Sequence, residues 1–195
     1  MNGNHMLRLG TLVGFGLFTL AGCGGPDAAL TEPELSSVEQ GINVATNGSF
    51  ETHAIGSVNS VILNAGSTAL PGWTITSAIK VMKSPYKAAQ DGVQSIDLNG
   101  YDWGSLYQDV PTVVGAYYSI TFYASVSPAC ATVRREATIS YGPKTSAFST
   151  TSGAWSQPRM YGFTATSTTT RIEFTSTSTF TNCGLAIDNF KVSGP

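Results

Sequence analysis

Two carboxylates stand apart from the rest of the chain by their surroundings. Glu51 follows Phe50 in "ATNGSFETH" (residues 45–53), and Asp188 lies between apolar residues in "GLAIDNFKV" (residues 184–192). An acid among apolar side chains is expensive to bury unless something neutralises it. If the fold brings the two together, one hard cation answers both, since Ca²⁺ takes roughly six to eight oxygens and many of these are backbone carbonyls. The competing chemistry is simpler: each acid accepts backbone N–H groups, or pairs with Lys191.

Aromatic residues form the second group. Sugar rings present apolar C–H faces that stack on flat side chains, while Asn, Asp, Gln or Arg bind their hydroxyls. Tyr101 and Trp103 in "NGYDWGSLY" lie in a loop with Asn99, Asp102 and Tyr107, which is the composition of a sugar platform. Tyr86 and Trp155 also fall in loop-like segments, whereas Trp73, where "LPGWTIT" begins a strand, reads as core. Catalysis is poorly supplied. A glycoside hydrolase needs two carboxylates at the right separation, and of Asp91, Asp97, Asp102 and Asp109 three fall at turns, where Asp bonds its own backbone. His53 is the lone histidine beyond residue 5, with no serine in a nucleophile-elbow pattern around it. The chain therefore reads as a non-enzyme.

The elements that must position these residues are strands. In "YYSITFYASV" (117–126), Tyr118, Ile120, Phe122, Ala124 and Val126 share one face and Ser119, Thr121 and Ser125 the other. In "TRIEFTS" (170–176), Ile172 and Phe174 face in while Arg171 and Glu173 face out. Further runs at 73–82, 94–98, 105–110, 136–141, 159–166 and 185–193, with short pairings near 42–51, are punctuated by "LPGW", "QDG", "LNG", "YGP" and "TSG". Such alternation bounded by turn residues predicts strands. Eight or nine strands in about 150 residues predict an all-β, jelly-roll β-sandwich.

Outside that domain, residues 1–22 read as an export signal. His5 and Arg8 precede the apolar run 9–20, too short for a comfortable bilayer span. The run ends in "LAGC", which resembles a bacterial lipobox and marks Cys23 for lipidation and a membrane anchor. Residues 23–41 hold four acids, two prolines and no Lys or Arg, and read as a disordered tether. The domain is 42–195. The expected location is the cell envelope, or the exterior if Cys23 is not lipidated. Cys130 and Cys183, an even pair in an exported chain, predict one disulfide. Charged residues are only 11% of the chain, against about a quarter in an average protein. Between residues 42 and 195, nine Lys and Arg face eight Asp and Glu, and this balance gives no basic face for nucleic acid.

The order of "NGSFE" (47–51), "LPGW" (70–73), "DGVQSIDLNG" (91–100), "LYQDV" (106–110), "YYSITFYAS" (117–125) and "LAIDNFKV" (185–192) resembles the bacterial choice-of-anchor C family and the related domain of unknown function 642. Both resemble galactose-binding-like jelly rolls and carbohydrate-binding modules. The resemblance implies an extracytoplasmic glycan-binding domain without catalysis, with polysaccharide as partner. It also implies first and last strands lying side by side, and a structural calcium held by a Glu after N-G-x-F and an Asp in a terminal I-D-N motif. Glu51 and Asp188 stand at those positions, with Asn47 and the carbonyls near Val44 as further ligands. Tyr101, Trp103, Asn99 and Tyr107 are the candidate glycan site. A structural or protein-binding envelope module with no sugar site is the main rival.

Overall fold

The computed structural model describes residues 41–130, 133–178 and 182–195; the expected signal peptide, Cys23 and tether lie outside them. Among the described residues there are twelve strands: β1 (Ile42–Asn43), β2 (Ser60–Leu63), β3 (Thr74–Ser77), β4 (Ile79–Lys83), β5 (Gln94–Asp97), β6 (Ser105–Pro111), β7 (Tyr117–Val126), β8 (Arg135–Tyr141), β9 (Lys144–Thr150), β10 (Arg159–Thr164), β11 (Thr169–Ser176) and β12 (Leu185–Gly194). They form two antiparallel sheets. One runs β10-β7-β12-β5-β4-β2 with β1 also on β12, and the other β3-β6-β11-β8-β9. The sandwich follows the expected class, but the count exceeds eight or nine. The run 73–82 is two strands in different sheets, and β2 and β9 are additional.

Inward-facing residues of both sheets make one core. Alternation along β7 puts Tyr118, Ile120, Phe122, Ala124 and Val126 inside, as expected. Phe122 and Phe174 meet edge to face with ring centroids 4.9 Å apart. Trp73 is core, packing on Phe50, Phe174 and Phe190 and donating its Nε1–H to the Asn47 carbonyl.

The outer face of the seven-stranded sheet is not open to solvent over its whole width. Ser95, Asp97, Ser125 and Asp188 point out from it and are fully buried; the chain before β5 and the chain after β9 fold over part of this face, bringing Gln90 and Asp91 onto Asp188 and Ser156 onto Ala124, while Lys80, Asn99, Ser127 and Gly184 surround Asp97. These covering segments are tied together. The Trp155 indole donates to the Ala88 carbonyl, and the Lys87 ammonium donates to the Gly153 carbonyl while lying over the Trp155 ring at 4.8 Å. Burial lowers the Lys87 pKa. Trp155 thus holds a cover in place, and the Lys80 ammonium lies over the Tyr86 ring at 5.7 Å.

Cys130 and Cys183 are joined, with Cα atoms 5.5 Å apart and a sequence separation of 53. The chain-entropy model gives such a loop about 4 kcal/mol. Replacing both cysteines by serine is therefore expected to lower the urea-unfolding stability by about that amount. An unmoved midpoint would contradict it.

Candidate functional site

The N-terminal segment and the last strand meet, and a bulge decides where. β1 pairs with β12 through Ile42–Gly194 and Asn43–Ser193, whereas β5 pairs with the same edge only at Ala186 and Ile187. The gap between them holds a register shift from Asp188 to Lys191. Into that gap runs the segment after β1: the Val44 N–H donates to Val192 O, and the Phe190 N–H donates to Gly48 O. Four residues at this seam other than glycine adopt positive φ, namely Asn47 (49°), Phe50 (59°), His53 (106°) and Asn189 (51°). Such backbone persists only where the surroundings over-determine it.

Glu51 and Asp188 reach this seam from opposite ends of the chain and grip one loop. Glu51 Oε1 accepts the N–H groups of Val93 (2.8 Å) and Gln94 (2.7 Å). Asp188 Oδ2 accepts those of Gln90 (2.7 Å) and Asp91 (3.0 Å), and its Oδ1 that of Asn189 (2.7 Å). Gly92 is required where it stands. A Cβ there would lie 2.5 Å from Glu51 Oε1, and its φ is +69°. Gln94 completes the junction by donating to the Phe50 and His53 carbonyls.

The charge balance at Asp188 is incomplete. Burial pushes its carboxyl up to about 7, against the pull of the three N–H bonds, and the Asp91 carboxylate raises it further. Among the described residues no ion pair joins it to Lys191, which is exposed. The donor set around it is all oxygen, as a hard cation requires. Beside its own carboxylate stand Gln90 Oε1, which receives Asn189 Nδ2, and Asn189 Oδ1, which is buried with no hydrogen-bond partner, while Glu51 grips the far end of the same loop at Val93 and Gln94. Among the described residues no three His, Cys, Asp or Glu side chains cluster as a metal site, so a cation here draws on amide and backbone oxygen as well. The other two expected ligands make contacts of their own. Asn47 spends its amide on Thr52 and Pro71 and shapes the loop, and Val44 meets β12 at Val192, beyond the bulge. Asn189 and Gln90 are the residues that sequence reasoning missed; the signal was the Asn directly after Asp188.

The aromatic candidates separate. Trp103 and Tyr101 are exposed, at 58% and 54%, beside the start of β6, where the Ser77 hydroxyl donates to the Trp103 carbonyl. Ser77, Asp102 and Trp103 line a shallow recess. Tyr107 stands on the outer face of the five-stranded sheet, on the same side of β6 as Ser105 and Asp109. The Arg171 guanidinium lies 3.5 Å above its ring and forms a two-point bond to Asp109, Nε to Oδ1 at 2.8 Å and Nη2 to Oδ2 at 2.9 Å. The pairing holds Asp109 below the usual carboxylate range. Asn99 is a correction: it is fully buried and donates to the Ser178 carbonyl, out of reach of a surface ligand.

The acids 91–109 do not assemble. Asp97 is buried on the seven-stranded sheet, 3.8 Å from Lys80, with its pKa raised by burial. Asp109 lies on the outer face of the other sheet, and Asp91 on the loop over Asp188. His53 lies at the seam, where its carbonyl accepts from Gln94.

The family model of DUF642, a family of proteins of unknown function, matches residues 43–193. The chain belongs to the DUF642 family. The match covers nearly the whole span that the ordered motifs pointed to. Halomucin of Haloquadratum walsbyi is 38% identical over 87 residues, 43% of this chain; the chain spans about 1% of that protein's length. Among solved structures, the tandem carbohydrate-binding module CBM22-1–CBM22-2 from Paenibacillus barcinonensis aligns with a TM-score of 0.51 and 15% identity, over 82% of this chain and 47% of that one. A family 61 carbohydrate-binding module in complex with β-1,4-galactotriose aligns with a TM-score of 0.48 and 16% identity, over 79% and 99%. The first of these likenesses supports the sandwich fold of this DUF642 domain.

Proposed function

We propose that this DUF642 domain is a non-catalytic glycan-binding module of the cell envelope. The observation that carries the reading is the exposed pair Tyr101 and Trp103 beside the start of β6, next to an outer sheet face dressed with hydroxyl, guanidinium and carboxylate groups. Flat rings offer stacking area at low entropic cost, and the surrounding polar groups give a sugar its hydrogen bonds. The tandem carbohydrate-binding module that shares this sandwich agrees with that use. The scattering of the 91–109 acids over two sheets favours binding over hydrolysis.

Two further parts belong to the proposal. A Ca²⁺ ion sits at the seam, held by Glu51 and Asp188 with Asn189 Oδ1 and backbone oxygen, and its role is to fix the cover loop. Cys23 carries lipid, in the manner of bacterial lipoproteins with a lipobox, and residues 23–41 tether the domain to a membrane.

The test is retention on immobilised polysaccharides. Trp103→Ala is expected to weaken binding at least about tenfold, while its melting temperature stays near wild type because Trp103 is exposed. Retention unchanged in this variant would overturn the assignment of the face. A protein-docking role is the second reading, favoured by exposed Ile42, Tyr117 and Met160 on the opposite sheet; it predicts no retention on any polysaccharide.

A further inference from the structure

We infer that Asp109 and Glu173 make the aromatic face an electrostatic filter that admits uncharged polysaccharide and turns away polyanionic chains. The inference rests on the glycan-binding reading above and specifies its substrate class.

The argument starts from register. Across β6 and β11, Asp109 faces Arg171, Tyr107 faces Glu173 and Ser105 faces Thr175. Beyond them Glu173 faces Ser140 and Thr175 faces Thr138 on β8, and Thr74 faces Tyr107 from β3. The surface around Tyr107 is therefore mostly hydroxyl, with its charge concentrated on Asp109, Arg171 and Glu173.

The one guanidinium among those three is already committed. Both nitrogens that face Asp109 are bound to its two oxygens, and the plane of the group lies flat on Tyr107. A guanidinium held this way offers little to a ligand carboxylate, since its matching two-point geometry is taken. Glu173 Oε1 accepts from the Ser105 hydroxyl at 3.1 Å, and among the described residues no Lys or Arg pairs with it. The sum over these three side chains is one net negative charge around Tyr107, whose ring already carries the Arg171 guanidinium, and the ring left open for stacking is the exposed Trp103 beside β6. Glu136, further out on β8, is balanced by Arg134 at 2.7 Å. A neutral sugar meets hydroxyls, carboxylate acceptors and a flat π–guanidinium stack. A uronate or sulfated sugar meets like charge where its ring must settle, and like-charge juxtaposition discriminates between partners more than it sets raw affinity.

The experiment is affinity electrophoresis through gels containing a neutral polymer (β-glucan or galactan) or an acidic one (polygalacturonate or alginate), at low and high ionic strength. Wild type is expected to be retarded by a neutral polymer and not by an acidic one. Glu173→Lys is expected to gain retardation by polyuronate of about tenfold or more at low salt, a gain that salt then erodes. Asp109→Asn releases Arg171 from its clamp and should shift the acidic-to-neutral ratio the same way, giving an independent variant if Glu173→Lys folds poorly. Glu173→Gln should fall between. Equal retardation of wild type by both polymer classes would overturn the filter, as would a ratio unmoved in all three variants. Wild type retained by polyuronate alone, and released by Trp103→Ala, would overturn the filter and leave the glycan-binding reading standing. Retention by no polymer would overturn both.

Discussion

With the proposed calcium bound at the seam, its removal is expected to lower the stability of this domain, and by an amount that grows with pH. The reason is Asp188. Its folded-state pKa is raised to about 7 by burial, while in the unfolded chain it returns to the ordinary carboxylate value of about 3.9. The metal-free folded state therefore holds the Asp188 proton more tightly than the unfolded state does. Its contribution is fully present below the unfolded pKa and is lost as pH rises toward the folded one, by on the order of 4 kcal/mol across that window. A divalent cation against the carboxylate favours the ionised form and removes that loss. Melting curves of metal-stripped and calcium-loaded protein should separate widely at about pH 8 and only slightly at about pH 5. In Asp188→Asn the gap should close at both. Metal-stripped protein that is equally stable at both values, with no gain from calcium, would show that the backbone N–H groups alone suffice.

The second large effect is expected from one methyl group. Gly48 lies so close to β12 that a Cβ would fall 1.9 Å from the Phe190 carbonyl oxygen, and the Gly48 carbonyl itself receives the Phe190 N–H at 2.9 Å. Backbone cannot yield as a flexible side chain can, so Gly48→Ala must push the segment between β1 and Glu51 off the last strand. That displaces the Asn47 carbonyl from the Trp73 indole and moves Glu51 away from Val93 and Gln94. A cost of about 3 kcal/mol or more is expected, read as a fall in the guanidinium midpoint, together with loss of the calcium-dependent rise in melting temperature. Gly56→Ala is the control. Gly56 also has positive φ (+63°), but a Cβ there meets nothing within 4 Å, so only about 1 kcal/mol of backbone strain is at stake. A Gly48→Ala protein as stable as the Gly56→Ala one would break the account of the seam.

The seam itself was legible because its parts carry local signals. The alternation of β7 and β11 marks two central strands, one in each sheet. The placement of acids after Phe50 and after Ile187 marks the two ends that meet. What hid the crossing at Ala78 is parity. Trp73, Ile75, Ile79 and Val81 all face the core, so the apolar residues keep one parity while the chain bulges before Ser77, leaves one sheet and enters the other. The physical sign of the crossing is tertiary: Ala78 O receives the Gly100 N–H, and a Cβ on Gly100 or Gly104 would collide with that same oxygen. β9 was invisible for a different reason. Only Phe148 of its seven residues is buried, and one apolar side chain sets no period. Asn99 was misplaced, and the covered layer around Lys80 and Asp97 missed, because polar residues at outward positions read as solvent-facing. The backbone at Ser178, Asn182 and Gly184 meets Asn99, Lys80 and Asp97 there, and no spacing in the strands announces a cover.

The most direct test of the central claim, that sugar is bound on the outer face of the five-stranded sheet, is a ¹⁵N chemical-shift titration with an oligosaccharide cut from any polymer that retains the protein. The expected result is movement of the Trp103 indole, the Arg171 Nε–H and the amides around Tyr107, with Tyr117 and Met160 still. Shifts confined to Ile42, Tyr117 and Met160, with Trp103 unmoved, would contradict it.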